Sequence, residues 1–233
     1  MNIIEINNLT FRYKNNFIYD GFNLSIEKGS WTTIAGPNGA GKTTLVKILA
    51  GLEKSYSDIK IFDKPLNKKN LYKIRKEIGF VFDTPDNYFA CETVEDELAF
   101  SLENLAVAPK TIKMKIDEIS KKLRIENLLK ENPYDLSGGE KQKVALACAL
   151  MLEPRILILD EALLMIDINE RRKILKLLKE YNTKKGVTII SFTHDLDEAV
   201  YSDRLIILNK GVIVVDGPFK EAFSEERVMR KIG

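Results

Sequence analysis

The sequence predicts an α/β fold with a phosphate-binding core, and three observations carry that prediction. Buried apolar runs recur at Trp31–Ala35, Ile78–Phe82, Arg155–Leu159 and Val187–Thr193, with helical stretches between them. The first run leads into Gly36-Pro37-Asn38-Gly39-Ala40-Gly41-Lys42-Thr43, which fits the pattern G-x-x-x-x-G-K-[ST] without a mismatch. Two other runs end in Asp160-Glu161 and at His194. Strand ends are where open α/β sheets gather ligand-facing residues.

Composition sets the bounds. At 233 residues, with 45% hydrophobic and 30% charged, the chain suits a globular protein with an ample core. The formal net charge of +2, from 36 basic and 34 acidic residues, argues against a nucleic-acid binder working through a basic face. Cys91 and Cys148 stand far apart, without metal-ligand spacing, so a reducing compartment is the simplest inference. MNIIEINNLTFRY lacks the basic region and apolar core of a signal peptide. No apolar run approaches the ~20 residues that cross a bilayer, so any membrane role is expected to be peripheral, through a partner.

The elements follow in order. Ile3–Thr10 alternates as a half-buried strand, with Ile4, Ile6 and Asn8 on one side and Ile3, Glu5, Asn7 and Leu9 on the other. Phe17–Ile26 returns as a second strand, ending at Lys28-Gly29. After the phosphate loop a helix runs from Thr44 to Ala50 and stops at Gly51, and a short strand, Ile59–Phe62, is broken by Lys64-Pro65. Ile78–Phe82 opens into the polar loop Asp83-Thr84-Pro85-Asp86-Asn87. Thr93 to Lys130 reads as helical, with Val94, Leu98, Leu102 and Leu105 on one face and Ile112, Ile116, Ile119 and Leu123 on a second. Ser137 and Glu140 have capping-box spacing before a helix through Met151. A helix over Asn169–Tyr181, a hairpin around Lys210-Gly211 and a closing helix over Pro218–Met229 complete the chain.

Chemistry attaches to these places. Glycines let successive N–H groups of the phosphate loop point inward as an anion nest, and the following helix adds its positive dipole end. Lys42 reaches the β- and γ-phosphates of a nucleotide and the Thr43 hydroxyl ligates Mg2+. Four apolar residues followed by Asp160 fit the strand that holds the Mg2+ shell in phosphate-loop NTPases, and Glu161 stands ready as general base. A flat ring such as Tyr13 stacks on adenine when it lies beside a nucleotide, although alone the residue favours ordinary packing on a sheet. The pair Gly138-Gly139 at a helix start is costly in conformational entropy. It makes sense where another molecule must approach the backbone.

These pieces, in this order and over essentially the whole chain, resemble the ATPase subunit of ATP-binding-cassette (ABC) transporters. Leu136-Ser137-Gly138-Gly139-Glu140 looks like that family's signature LSGGQ, with Glu in the last place. GFVFDTPDNYF, ETVEDELAFSLENLAV, SFTHDLDEA and GPFKEAFSEE are similar to the energy-coupling-factor (ECF) branch, which drives vitamin and transition-metal uptake.

The resemblance implies a single ABC ATPase domain over 1–233. About 1–83 and 152–233 would form a RecA-like core with an N-terminal antiparallel β subdomain, and about 84–151 a helical signature subdomain. It implies ATP and Mg2+, with Gly36 to Thr44 around the phosphates, Tyr13 on the adenine, and Thr43, Asp83 and Asp160 about the metal. Asp167 matches the D-loop aspartate and His194 the switch histidine. Glu161, His194 and Lys42 carry hydrolysis, and Ser137 to Gly139 cap ATP across a head-to-tail dimer with a second ATPase subunit, identical or related. A transmembrane subunit is the other expected partner, which places the chain at the cytoplasmic face of the membrane.

Three departures stand out. Asp83 occupies the glutamine position, Ala162-Leu163-Leu164 replaces the usual polar residues, and the sequence ends at Gly233 where this branch carries a further segment. Asp83 motivates a rival reading, a catalytically weak subunit paired with an active sister ATPase. An ATPase of another ABC importer is a further alternative. Tyr88 and Phe89 are expected to anchor a helix of the membrane partner.

Overall fold

The computed structural model describes residues 1–54, 57–84 and 89–224. Two sheets organise it. The first is antiparallel, in the order β2 (Asn16–Glu27), β1 (Asn2–Tyr13), β4 (Asp58–Ile61), β5 (Lys64–Pro65). The second has the order β10 (Val212–Pro218), β9 (Arg204–Asn209), β3 (Trp31–Ala35), β8 (Thr188–Thr193), β7 (Ile156–Asp160), β6 (Ile78–Val81). Its strands run parallel except for β10, which pairs antiparallel with β9 at one edge.

β3, β7 and β8 are buried along their whole length, as parallel strands covered on both faces must be. Alternate residues feed two cores. Ile156, Ile158 and Ile190 pack with α1 (Lys42–Leu49) and the antiparallel sheet, in a core that includes Ile4, Leu45 and Ile61. Leu157, Leu159 and Ile189 pack with a helical layer of α3 (Val94–Glu103), α4 (Pro109–Leu123), α5 (Gly138–Met151) and α6 (Ile168–Lys185). Each of these sheet residues is at most 3% exposed. The sheet is thus gripped from both sides, and its C-terminal strand ends are fixed relative to both layers.

Several expectations change. Leu9 faces the same core as Ile4 and Ile6, because Asn8 adopts φ 52° and the register slips between Ile6 and Leu9. A bulge of this kind moves every later side chain to the other face. Lys64-Pro65 does not break the strand. Phe62 and Asp63 both have positive φ, 55° and 58°, which closes a two-residue hairpin onto β5. Pro65 is tolerated there on an edge strand.

α2 (Lys68–Arg75) was not foreseen from the sequence: it buries only Ile74, so no apolar stripe announces it. Leu105 leaves its stripe, because α3 ends at Glu103 and the residue is 37% exposed. A short helix, α7 (Leu196–Ala199), follows β8. The closing helix is α8 (Phe219–Ser224), and the expected residues 225–229 lie outside the described residues. Among the described residues no helix is long and apolar enough to cross a membrane.

Candidate nucleotide site

The site is assembled at the C-terminal ends of β3, β7 and β8. The chain leaves β3 at Ala35 and must turn sharply to start α1 at Lys42. Two glycines make this turn possible for different reasons. At Gly36 a Cβ would lie 2.1 Å from the Leu208 carbonyl oxygen of β9, so only a bare backbone fits. Gly41 is the N-cap of α1 with φ 110°, outside what L side chains adopt. Tyr19, 1% exposed, donates its hydroxyl to the Gly41 carbonyl at 2.8 Å and fixes the cap from below. No side chain caps α1, so its first N–H groups are left for a ligand. Asn38, Gly39 and Thr43 are exposed at the mouth, Pro37 and Thr44 are half-buried, and Ala40 is buried.

Lys42 is buried, and its ammonium donates to the carbonyls of Gly36 at 2.7 Å and Pro37 at 3.2 Å. It lies 3.6 Å from Glu161 Oε1. The other oxygen of that carboxylate, Oε2, meets His194 Nδ1 at 2.9 Å. Two residues far apart in sequence, Lys42 and His194, therefore converge on one carboxylate. Glu161 itself has φ 50° and is tied to β8 by its N–H, which donates to the Phe192 carbonyl at 2.8 Å.

Asp160 ends β7 with both carboxylate oxygens buried and without a hydrogen-bond partner among the described residues. Burial raises its pKa to about 7, and the charges of Asp83 and Glu161 act in the same direction. The Thr43 hydroxyl and Lys42 oppose them. A carboxylate this buried and unpartnered is suited to a cation, and Thr43 and Asp83 are the neighbouring oxygen donors. Among the described residues no group of three or more His, Cys, Asp or Glu forms a protein-only metal cage.

Tyr13 ends β1 beside α1. Its hydroxyl donates to Glu53 at 3.0 Å, and Phe11 meets its ring edge-on at 4.9 Å. The ring is 40% exposed. Burial, then Glu53, raises its pKa, and the Thr44 hydroxyl of the first α1 turn opposes.

The remaining candidates lie on the helical side. Ser137 and Glu140 form the expected capping box. The Ser137 N–H and hydroxyl both donate to Glu140 Oε2, at 3.0 and 2.6 Å. The glycine pair has a nearer explanation than an approaching molecule. A Cβ on Gly138 would lie 2.5 Å from Met165 Sδ, and one on Gly139 2.7 Å from the Met165 carbonyl oxygen. Asp167 caps α6, accepting from the N–H groups of Asn169 at 2.9 Å and Glu170 at 3.4 Å. Phe89 does not face a partner. It is 5% exposed in the helical core, edge-on to Tyr134, whose hydroxyl donates to the Phe89 carbonyl. Tyr88 lies outside the described residues.

Two supporting residues escaped the sequence reading. Buried Gln142 on α5 accepts from the Met165 N–H at 3.0 Å. Arg171 on α6 donates to Asp195 at 2.7 Å and to the Leu164 carbonyl at 3.2 Å, joining the loop after β7 to the loop after β8. The only sequence signal for Gln142 was a polar residue within an apolar helical run. Arg171 gave none, being one of two adjacent arginines on a charged helix.

Known proteins resemble this chain over nearly its whole length. Residues 19–164 match the ABC transporter family. The chain is 42% identical to the energy-coupling factor transporter ATP-binding protein EcfA of Pediococcus pentosaceus, over 100% of this chain and 84% of that protein. It is 41% identical to the corresponding EcfA1 of Ligilactobacillus salivarius, over 100% of this chain and 83% of that protein. Among solved structures, cbiO1 from Clostridium perfringens, part of the ABC transporter complex cbiONQ, superposes with a TM-score of 0.85 at 34% identity, covering 99% of this chain and 94% of that one. The dimeric ATP-binding cassette MJ0796, in a post-hydrolysis state bound to ADP and phosphate, gives 0.86 at 28% identity, covering 93% and 98%.

Proposed function

This chain belongs to the ABC transporter family, and from that premise we propose how its residues bind and hydrolyse ATP to energise an ECF-type uptake transporter. The observation that carries the reading is the convergence of Lys42 and His194 on the two oxygens of Glu161, beside an open helix start. The loop from Gly36 to Thr44 cradles the phosphates, Lys42 offsets their charge, and the exposed ring of Tyr13 stacks on the adenine. Glu161 orients the attacking water and accepts its proton, and His194 holds the γ-phosphate. Asp160, Thr43 and Asp83 are the residues that would hold Mg2+, which supplies charge neutralisation at the transferred phosphoryl group when bound.

Ser137, Gly138, Gly139 and Asp167 serve the ATP of a second cassette in a head-to-tail dimer. As the resemblance implies, the chain divides into a RecA-like core with its β subdomain, about 1–83 and 152–233, and a helical subdomain, about 84–151, with one apolar core, in which Leu157 and Ile189 pack with Leu98 and Val144, joining the two. The chain works peripherally on the cytoplasmic face of the membrane, through a transmembrane subunit, on a vitamin or transition-metal ion as cargo. The intact pairing of Glu161 with His194 favours an active subunit over a catalytically weak one.

Glu161→Gln tests this. In the assembled transporter it should retain ATP binding and lose turnover by ~10²–10⁴-fold, because an amide accepts no proton. Hydrolysis at the parent rate would overturn the assignment.

A further inference from the structure

Gln142 is 1% exposed on α5, among the buried apolar residues Val144, Ala145 and Leu146. A buried amide is costly unless its polar atoms are paired. The recorded partners are main-chain groups of one short stretch. Oε1 accepts from the Met165 N–H at 3.0 Å, and Nε2 reaches the Glu161 carbonyl at a long 3.5 Å. The two ends of Glu161–Met165 are therefore held by one side chain.

Those ends have different duties. Glu161 carries the carboxylate that meets Lys42 and His194, on a backbone at φ 50° that a non-glycine residue adopts only when its surroundings impose it. Met165 lies against Gly138 and Gly139 at the start of the helix that bears Gln142.

We propose that Gln142 is a positioning residue that locks the catalytic loop of one ATP site to the signature segment serving the other, so that the two sites of a dimer respond together. This rests on the dimer reading above, in which Glu161 acts on the chain's own ATP and Ser137 to Gly139 act on the neighbour's. Displacing one end of the stretch displaces the other, because both are bonded to the same amide. Misplacing a catalytic group by about 1 Å costs up to ~10²-fold in rate.

The test uses the assembled transporter and the near-isosteric Gln142→Met, which keeps volume and removes both hydrogen bonds. The expected result is a fall in kcat of about tenfold or more, with KM for ATP and thermal stability close to the parent. Gln142→Glu keeps an acceptor for the Met165 N–H and should recover part of the loss. A double variant with Ser137→Ala should be no slower than the slower single variant, the signature of residues acting as one unit. The inference is overturned if kcat stays within twofold of the parent, if kcat, KM and stability decline together, or if the two effects multiply. A parent transporter that does not hydrolyse ATP would overturn the ATPase reading itself, and this inference with it, before any variant is compared.

Discussion

Two helices begin at glycine-rich turns, and they begin in opposite ways. α1 starts from Gly41 in a left-handed conformation with no side-chain cap, so its terminal N–H groups are left to a ligand. α5 starts from Ser137 in an extended conformation, with Ser137 and Glu140 closing a reciprocal cap. The glycines differ as well. Gly41 is required by its φ, whereas Gly138 and Gly139 lie under Met165 of the same chain. The contrast teaches that a glycine-rich helix start is not by itself a site for the chain's own nucleotide. What distinguishes the terminus that would cradle the chain's own phosphates is that no side chain caps it, at some expense to the folded state.

The largest effect should come from closing the open terminus. Gly41→Ala would place a Cβ 2.8 Å from the Tyr19 hydroxyl, in a backbone conformation alanine resists. Titration with a fluorescent ATP analogue should show binding weakened by two orders of magnitude or more, the effect of roughly 3 kcal/mol. Near-normal affinity would break the distinction between the two helix starts.

Opening the closed terminus should do less. Ser137→Ala removes an N-cap hydroxyl, a loss of about 1 kcal/mol in stability. ATP affinity of the isolated chain should be unchanged, while turnover in the assembled transporter falls about tenfold. A matching drop in the isolated chain's ATP affinity would mean that Ser137 serves its own site.

The smallest effect is a pH dependence. The Ser137 hydroxyl and N–H hold the Glu140 pKa below its ordinary 4.5. A lowered carboxyl pKa stabilises the fold above the ordinary value, and that contribution is lost as pH falls through the folded-state pKa. Thermal melts from pH 7 down to pH 3 should show Glu140→Gln less sensitive to acid than the parent over the lower part of that range. Parallel curves would mean that the cap is not formed in solution.

The sequence made one of these helix starts far more legible than the other. The phosphate loop is a local arrangement whose backbone needs are met by residues within Gly36–Thr43, so its pattern is readable in one line. Asp160, Glu161 and His194 were legible for a related reason: each ends a run too apolar to be anything but a buried parallel strand. The capping box was readable too, but its surroundings were not. Met165 comes from 27 residues beyond Gly138, and nothing in Gly138-Gly139 records what will lie against it. The bulge at Asn8 escaped because a strict alternation of two fitted the residues on either side. α2 escaped because a helix with one buried residue leaves no period to read. The resemblance assigns Phe89 to a membrane partner, yet its ring belongs to the interior.

The two carbonyl acceptors of Lys42 have a consequence for what the site selects. With Gly36 and Pro37 holding its ammonium, the loop is occupied by its own lysine. An incoming molecule has to outcompete two neutral carbonyls for a buried cation that also lies 3.6 Å from the Glu161 carboxylate, and a charged oxygen in the right place is suited to do so, since charge-assisted hydrogen bonds are about twice as strong as neutral ones. Adenosine has no such oxygen, and the phosphate of AMP stops short of where the β- and γ-groups would sit. The resting loop would thus discriminate on the length of the phosphate chain, the lysine changing partners for a nucleotide whose phosphates extend at least to the β-position.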